Sequence, residues 1–381
     1  MVNDDLLLGL RALASVRQSG GDNKLVLNPD PLSFEQRESP NEFDGNAVQG
    51  LVLEPQENAL FEIRSLARRR HRAHIEAFCD GTRSTYFVGY ESELPLIYTR
   101  NASAIRTRDK TTGYHTALYN IQRHQTMLLA PFDLFKPSIR QTYQRLNLYH
   151  NRLADLCWTG LEEGYAPTPS DMETMGNLAW QRRARRRARH LLDLSEQITS
   201  ITGAQLLREQ DSTGGSWLLK DGSLFQFKRE YLRLAEPLHN IVSCVKTHPV
   251  SFFGAEGERQ LRRLEIGERS VAFLPRPANE SQKRYSLRET DRQMVSWYMR
   301  VRQANQHDAN HMSGVVRLDI AAVDDWRDWI DEVSWAVLDE FYGLSAMPDP
   351  RYDVMPYGIY DCEQFLKACE IPGDLLLAQL R

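Results

Sequence analysis

Several things are missing from this chain of 381 residues. The first is an excess of basic charge: 47 Lys and Arg stand against 51 Asp and Glu, a formal net charge of -4. No global electrostatic signature for nucleic acid exists, so local clusters must carry any such attraction. Cysteine is scarce. The five residues Cys79, Cys157, Cys244, Cys362 and Cys369 form no CxxC pair, and an odd count leaves one unpaired. That argues against a disulfide framework or a zinc ribbon and for a reducing compartment. No apolar run is long enough for a membrane helix, and Met1-Val2-Asn3-Asp4-Asp5 lacks a basic leader region, so a cytoplasmic protein without a membrane is the expectation. No Gly-x-x-x-x-Gly-Lys-Ser/Thr loop or Gly-x-Ser-x-Gly element is present, which excludes a phosphate-binding-loop NTPase and a nucleophile-elbow hydrolase.

What is present is a globular balance, 41% hydrophobic and 26% charged residues. The spacing predicts a short amphipathic helix over 6–16 and a polar, proline-bearing connector over 22–49. A basic helix over 59–74, a three-strand antiparallel meander over 75–100 and helix over 114–160 follow. A long helix over 172–209 is capped by Ser170 or Asp171. Strand-like runs come at 269–274, 294–301 and 314–320, and an amphipathic helix over 326–342 buries Trp326, Trp329 and Trp335. The closing run 352–360 leads into a short helix around 363–368. The order is that of a mixed α/β fold. The expected organisation is an N-terminal helix and connector over 1–58, then a catalytic domain over 59–381 with a helical insert at about 114–210.

Two segments stand out, Ile75-Glu76-Ala77-Phe78-Cys79-Asp80-Gly81-Thr82 and Trp217-Leu218-Leu219-Lys220-Asp221-Gly222-Ser223-Leu224. Each reads as a core strand ending in Asp-Gly-Thr/Ser. Either alone is equally a hairpin turn. Together they suggest two aspartates converging on a divalent cation, because a buried carboxylate needs matching charge. A strand–Asp-Gly–hairpin opening, a helical insert and a second strand ending in aspartate suit an RNase H-like nuclease core, in which hard oxygen ligands hold Mg2+ or Mn2+.

The ordered motifs resemble the NurA family of nucleases. Phe78-Cys79-Asp80-Gly81-Thr82 and Leu218–Leu224 are similar to its two Asp-Gly motifs. Ile241–Lys246 resembles its small-residue strand ending in lysine, Val315–Ile320 its late Arg-x-acid strand, and Met355-Pro356-Tyr357-Gly358-Ile359 its terminal element. The resemblance covers roughly 60–370. It implies an RNase H-like fold, a homodimer, manganese-dependent cleavage of DNA and a hexameric HerA-type ATPase partner, in DNA end processing or in defence against foreign DNA. Asp80 and Asp221 match the family's metal aspartates, and a third carboxylate is expected before the second motif, Glu196 or alternatively Asp193. Where the family has a tyrosine and a later histidine, this chain has Met355 and Glu363. That departure leaves open a remodelled site using Glu363, or a weakly active or inactive DNA-binding subunit on the same fold. An RNA-processing nuclease is the more distant alternative.

Lys246, ending an apolar strand beside this site, is suited to steadying a phosphate or a water. The arginine run Arg182, Arg183, Arg185, Arg186, Arg187 and Arg189 is a candidate DNA contact, and Arg68-Arg69-Arg70-His71-Arg72 is a second basic run. Each is also compatible with a solvated helix face. The leucines of 6–16 make that helix a candidate docking element for the ATPase. His71 and His74 lie close to Cys79 but lack zinc-like spacing.

Overall fold

The computed structural model describes residues 26–27, 48–54, 61–91, 93–108, 115–116, 122–150, 153–156, 176–211, 213–224, 238–246, 252–277, 294–303, 312–322, 325–341 and 355–369. The helix expected over 6–16 and the caps Ser170 and Asp171 lie outside them.

The fold is mixed α/β. The strands, in chain order, are β1 (Val26–Leu27), β2 (Val48–Val52), β3 (Ile63–Ser65), β4 (His74–Glu91), β5 (Leu94–Arg108), β6 (His115–Thr116), β7 (Gln122–Ala130), β8 (Leu153–Asp155), β9 (Ser216–Asp221), β10 (Ile241–Val245), β11 (Glu268–Ser270), β12 (Phe273–Pro277), β13 (Met294–Arg300) and β14 (Val315–Ala321). The helices are α1 (Pro137–His150), α2 (Asn177–Gln210), α3 (Gly254–Arg262), α4 (Trp326–Asp339) and α5 (Tyr357–Ala368). One sheet runs in the order β2-β12-β13-β14-β10-β9-β4-β5-β7-β8. β4, β5 and β7 are an antiparallel meander, whereas β9 is parallel to both β4 and β10.

Helix α2 covers one face of the sheet. Trp180, Ala184, Ala188 and Leu191, at spacings of four, four and three, pack with Phe87, Ile97, Met127 and Leu129. Further along α2, Ala204 and Leu207 meet Ala77, Cys79, Ile105 and Leu218. Helices α4 and α5 cover the opposite face. Trp326, Trp329, Ile330, Val333, Ala336 and Val337, joined by Ile359 and Cys362, pack on Phe78, Trp217, Leu219 and Cys244. The two faces of β4 and β9 therefore read out alternately, with period two. Trp335 is only partly buried, and its indole N–H donates to the Ala67 carbonyl at 2.9 Å.

Local sequence and tertiary structure disagree in several places. The three strands expected over 75–100 are two, β4 and β5, with β7 as the third of the meander, and Leu153–Asp155, expected to be helical, is β8. The basic run before β4 is not helical. It carries β3 and then an irregular segment tied to α4, where Glu332 accepts from the backbone N–H of Arg70 at 2.7 Å and of Arg72 at 3.0 Å, and Asp331 accepts from Ala67 N–H. Residues expected to be helical before Pro131 instead form β7, because β5 offers an unpaired edge; helix starts only at Pro137, where a missing N–H costs nothing. The polar connector supplies two strands, β1 against β4 and β2 against β12. Just beyond β2, the buried Glu54 pairs with Arg269 at 2.8 Å. Finally, α5 begins at Tyr357, earlier than expected, so Glu363 lies beyond its first turn and does not act as an N-terminal helix charge.

Candidate active site

The two Asp-Gly segments adopt different backbones. Asp80 and Gly81 lie inside β4, paired with Ala104 and Ser103, so the first motif neither ends its strand nor turns. Asp221 does end β9, and Gly222 follows with φ 76°, where a side chain would be strained. The parallel register nevertheless brings the aspartates together. Cys79 stands opposite Lys220, so Asp80 and Asp221 are the next residues along two adjacent strands. Phe78 and Leu219, two residues earlier, both pack on the α4 and α5 face, and by alternation Asp80 and Asp221 belong to that face. Lys246 completes the row, two residues after Cys244, which also lies on that face and stands opposite Asp221. Its Nζ is 2.8 Å from Asp221 Oδ1.

Asp80 is buried, and the Gly81 N–H donates to its Oδ1 at 2.7 Å. Its carboxyl is held well above the usual carboxylate range, first by burial and then by the neighbouring charge of Asp221; Lys246 opposes this and Glu196 adds to it. A carboxylate pair in that state lacks positive charge even with a lysine at hand. Its hard oxygens suit Mg2+ or Mn2+.

Lys220 and Glu196 sit behind this row, on the α2 side. Lys220 is fully buried, and its Nζ donates to Glu196 Oε2 at 2.8 Å and to the Asp221 carbonyl. Burial, the largest influence, disfavours its ammonium, but Glu196, Cys79 and Asp221 together raise its proton affinity. Gly81 makes this approach possible: a Cβ there would lie 2.3 Å from Glu196 Oε1 and 2.8 Å from its Cγ. Of the two candidates for a third carboxylate, Glu196 is therefore the one that touches the β4 motif. Asp193 lies one turn earlier, its carboxyl pushed up to about 6 by burial and by Glu196, with Arg189 and Arg83 pulling it down. Among the described residues, no three His, Cys, Asp or Glu side chains gather closely enough to form a ready metal cage.

The turn after Asp221 is fastened from the far side by β14. Asp319 is fully buried. It accepts from Ser223 Oγ at 2.8 Å, Ser243 Oγ at 3.1 Å, Ser296 Oγ at 2.7 Å and Arg317 Nε at 2.9 Å. Arg317 also donates to Ser223 Oγ at 2.9 Å. Sequence reasoning singled out this Arg-x-acid strand without assigning it a task. It overlooked Lys220, whose signal was a lysine embedded in an otherwise apolar core strand.

The remaining expected residues are dispersed. Glu363 on α5 pairs with Lys367 at 2.6 Å; its neighbour Cys362 donates to the Phe78 carbonyl at 3.3 Å. Met355 is buried in the main core. Of the arginine run on α2, Arg183 is buried and donates to the Leu156 carbonyl at 2.9 Å, a structural engagement that takes it away from any surface. Arg185 and Arg187 are half-buried, and Arg182, Arg186 and Arg189 are exposed. His74 is within 3.0 Å of Ser216 Oγ. No family model matches the chain, and no curated protein matches it in sequence.

Proposed function

We propose that this protein is a metal-dependent DNA nuclease with an RNase H-like core. The observation that carries the reading is the pairing of Asp80 and Asp221 on adjacent parallel strands, with Lys246 beside them; Glu196 lies behind this row, on the α2 side. The strand order β7-β5-β4-β9-β10 supports it: an antiparallel meander, a long helix, then two strands parallel to the first. Asp80 and Asp221 are the residues that would hold Mg2+ or Mn2+; Glu196, held by Lys220 on the α2 side, does not join them in a ready three-ligand group. A divalent cation there supplies charge neutralisation at a scissile phosphate and a more acidic water. Lys246, ion-paired with Asp221, is the group of this chain that can meet a phosphate oxygen at the same row. Lys220 holds Glu196 and the Asp221 backbone in register.

The NurA resemblance extends the proposal to a cytoplasmic homodimer working with a hexameric HerA-type ATPase in end processing or antiviral defence. Among the described residues, no helix is long and apolar enough to cross a membrane. Incubating the purified protein with end-labelled DNA and Mn2+, with and without such an ATPase, tests the reading: cleavage by the wild type that disappears in Asp80→Asn supports it, and cleavage undiminished in that variant refutes the site.

A second reading, a DNA-binding or assembly subunit with weak or no catalysis, is favoured by one observation. Asp221 and Glu196 are each already paired with a lysine, and no ready three-ligand cage exists among the described residues. Wild-type protein that binds DNA, fails to cleave with Mn2+ and shows no Mn2+-dependent gain in melting temperature selects this reading.

A further inference from the structure

Arg182, Arg186, Arg189, Asp193 and Glu196 recur along α2 at spacings of four, three, four and three. At 3.6 residues per turn, all five lie within about 40° of one line on the helix surface. The opposite face is the buried one, with Trp180, Ala184, Ala188, Leu191 and Ser195. The three arginines on the line are exposed, and Glu196 at its end is buried against Gly81 and Lys220. With about 1.5 Å of rise per residue, the line is roughly 21 Å long from Arg182 to Glu196. Arg83 joins it from β4: its Nη1 is 3.4 Å from the Arg185 carbonyl, and its charge is felt at Asp193. Among the described residues, four guanidinium groups and the one carboxylate of Asp193 line this stretch before the Glu196 end.

We propose that this ridge is a phosphate track that carries one polynucleotide strand along α2 toward Glu196, behind the Asp80–Asp221 row. The proposal rests on the nuclease reading for its destination but not for its binding. Its arginines form a single row on the helix, which fits a single backbone better than a duplex with two. Among the described residues the row bears no aromatic side chain on which a base could stack, so recognition is of phosphate and is indifferent to sequence. Arg183, turned inward, and the half-buried Arg185 and Arg187 take no part in it.

The test is equilibrium binding of full-length protein to a fluorescent oligothymidylate of about twenty nucleotides, in EDTA so that no metal-dependent cleavage intervenes, across a range of salt. Three phosphate contacts on a single strand contribute about 2 to the slope of log K against log salt, at roughly 0.7 per contact. Arg182→Gln/Arg186→Gln/Arg189→Gln is expected to lower the slope by that amount at unchanged melting temperature. Arg259→Gln, an exposed arginine on α3, is expected to leave it alone. Unlabelled single strand is expected to displace the probe at lower concentration than duplex of equal length. An unchanged slope in the triple variant, better competition by duplex, or absence of salt-dependent binding by the wild type overturns the track. Failure of the wild type to cleave with Mn2+ counts against the nuclease reading alone, since binding is measured without metal.

Discussion

The ammonium of Lys220 and the carboxylate of Glu196 meet at 2.8 Å in the interior, joining strand β9 to helix α2 directly behind Asp221. Lys220 is 1% exposed, so its ammonium has no water to fall back on. The pair does two things at once: it satisfies an ion that the core would otherwise reject, and it fixes the helix against the strand that carries the second aspartate.

Breaking one half of such a pair leaves the other uncompensated, at a cost of about 3 kcal/mol or more. Lys220→Met is therefore expected to destabilise the protein strongly in urea denaturation. Adding Glu196→Gln to it should recover most of the loss, because the stranded charge is gone. A Lys220→Met protein as stable as the wild type would remove the pair from the account.

Asp80→Asn should act in opposite directions on stability and on activity. Without metal it removes a buried charge that Asp221 repels, so the melting temperature is expected to rise by on the order of 2 °C. Cleavage with Mn2+ should fall about a hundredfold or more, equivalent to roughly 2.7 kcal/mol of barrier. Mn2+ should raise the melting temperature of the wild type and not of the variant, since only a ligand that binds the folded state stabilises it. Scanning calorimetry with and without Mn2+ reads both effects.

Gly81→Ala isolates the contact between β4 and Glu196. Its new methyl would overlap Glu196 Oε1 and Cγ and also Leu192 Cδ1. The strand itself accepts alanine, so the expected stability loss is about 1–2 kcal/mol, the range of modest overpacking. Turnover should drop by at least about tenfold, because the carboxylate must move. Wild-type turnover together with unaltered stability would show that Glu196 has room to spare.

Asp193 makes stability depend on pH. Its carboxyl sits at about 6 in the folded protein against an ordinary value of 3.8, so the folded state holds this proton more tightly than the unfolded state. The resulting stabilisation is fully present below about pH 4 and is lost as pH rises through about 6. Metal-free wild type should therefore lose melting temperature over that interval relative to Asp193→Asn. Parallel profiles for the two proteins would exclude the assignment.

The row of Asp80, Asp221 and Lys246 was legible in the sequence because its chemistry is local: an aspartate followed by glycine in an apolar run, twice, and a lysine closing a third such run. The amphipathic helix over 326–339 and the core strands over 294–300 and 315–321 were legible for the same reason, through periodicity and length. What the sequence did not determine is everything that depends on a neighbour. Gln122–Ala130 is a strand because β5 has an edge to fill, and the basic segment before β4 is irregular because Asp331 and Glu332 of α4 capture its backbone N–H groups. Asp80 lies in mid-strand because β5 pairs with β4 on both sides of it. Only the tertiary structure chose Glu196 over Asp193 as the carboxylate in contact with Gly81. The decision came from the parallel register of β4 and β9, which sets Lys220 under Glu196 and leaves, at Gly81, a gap without a side chain into which that carboxylate fits.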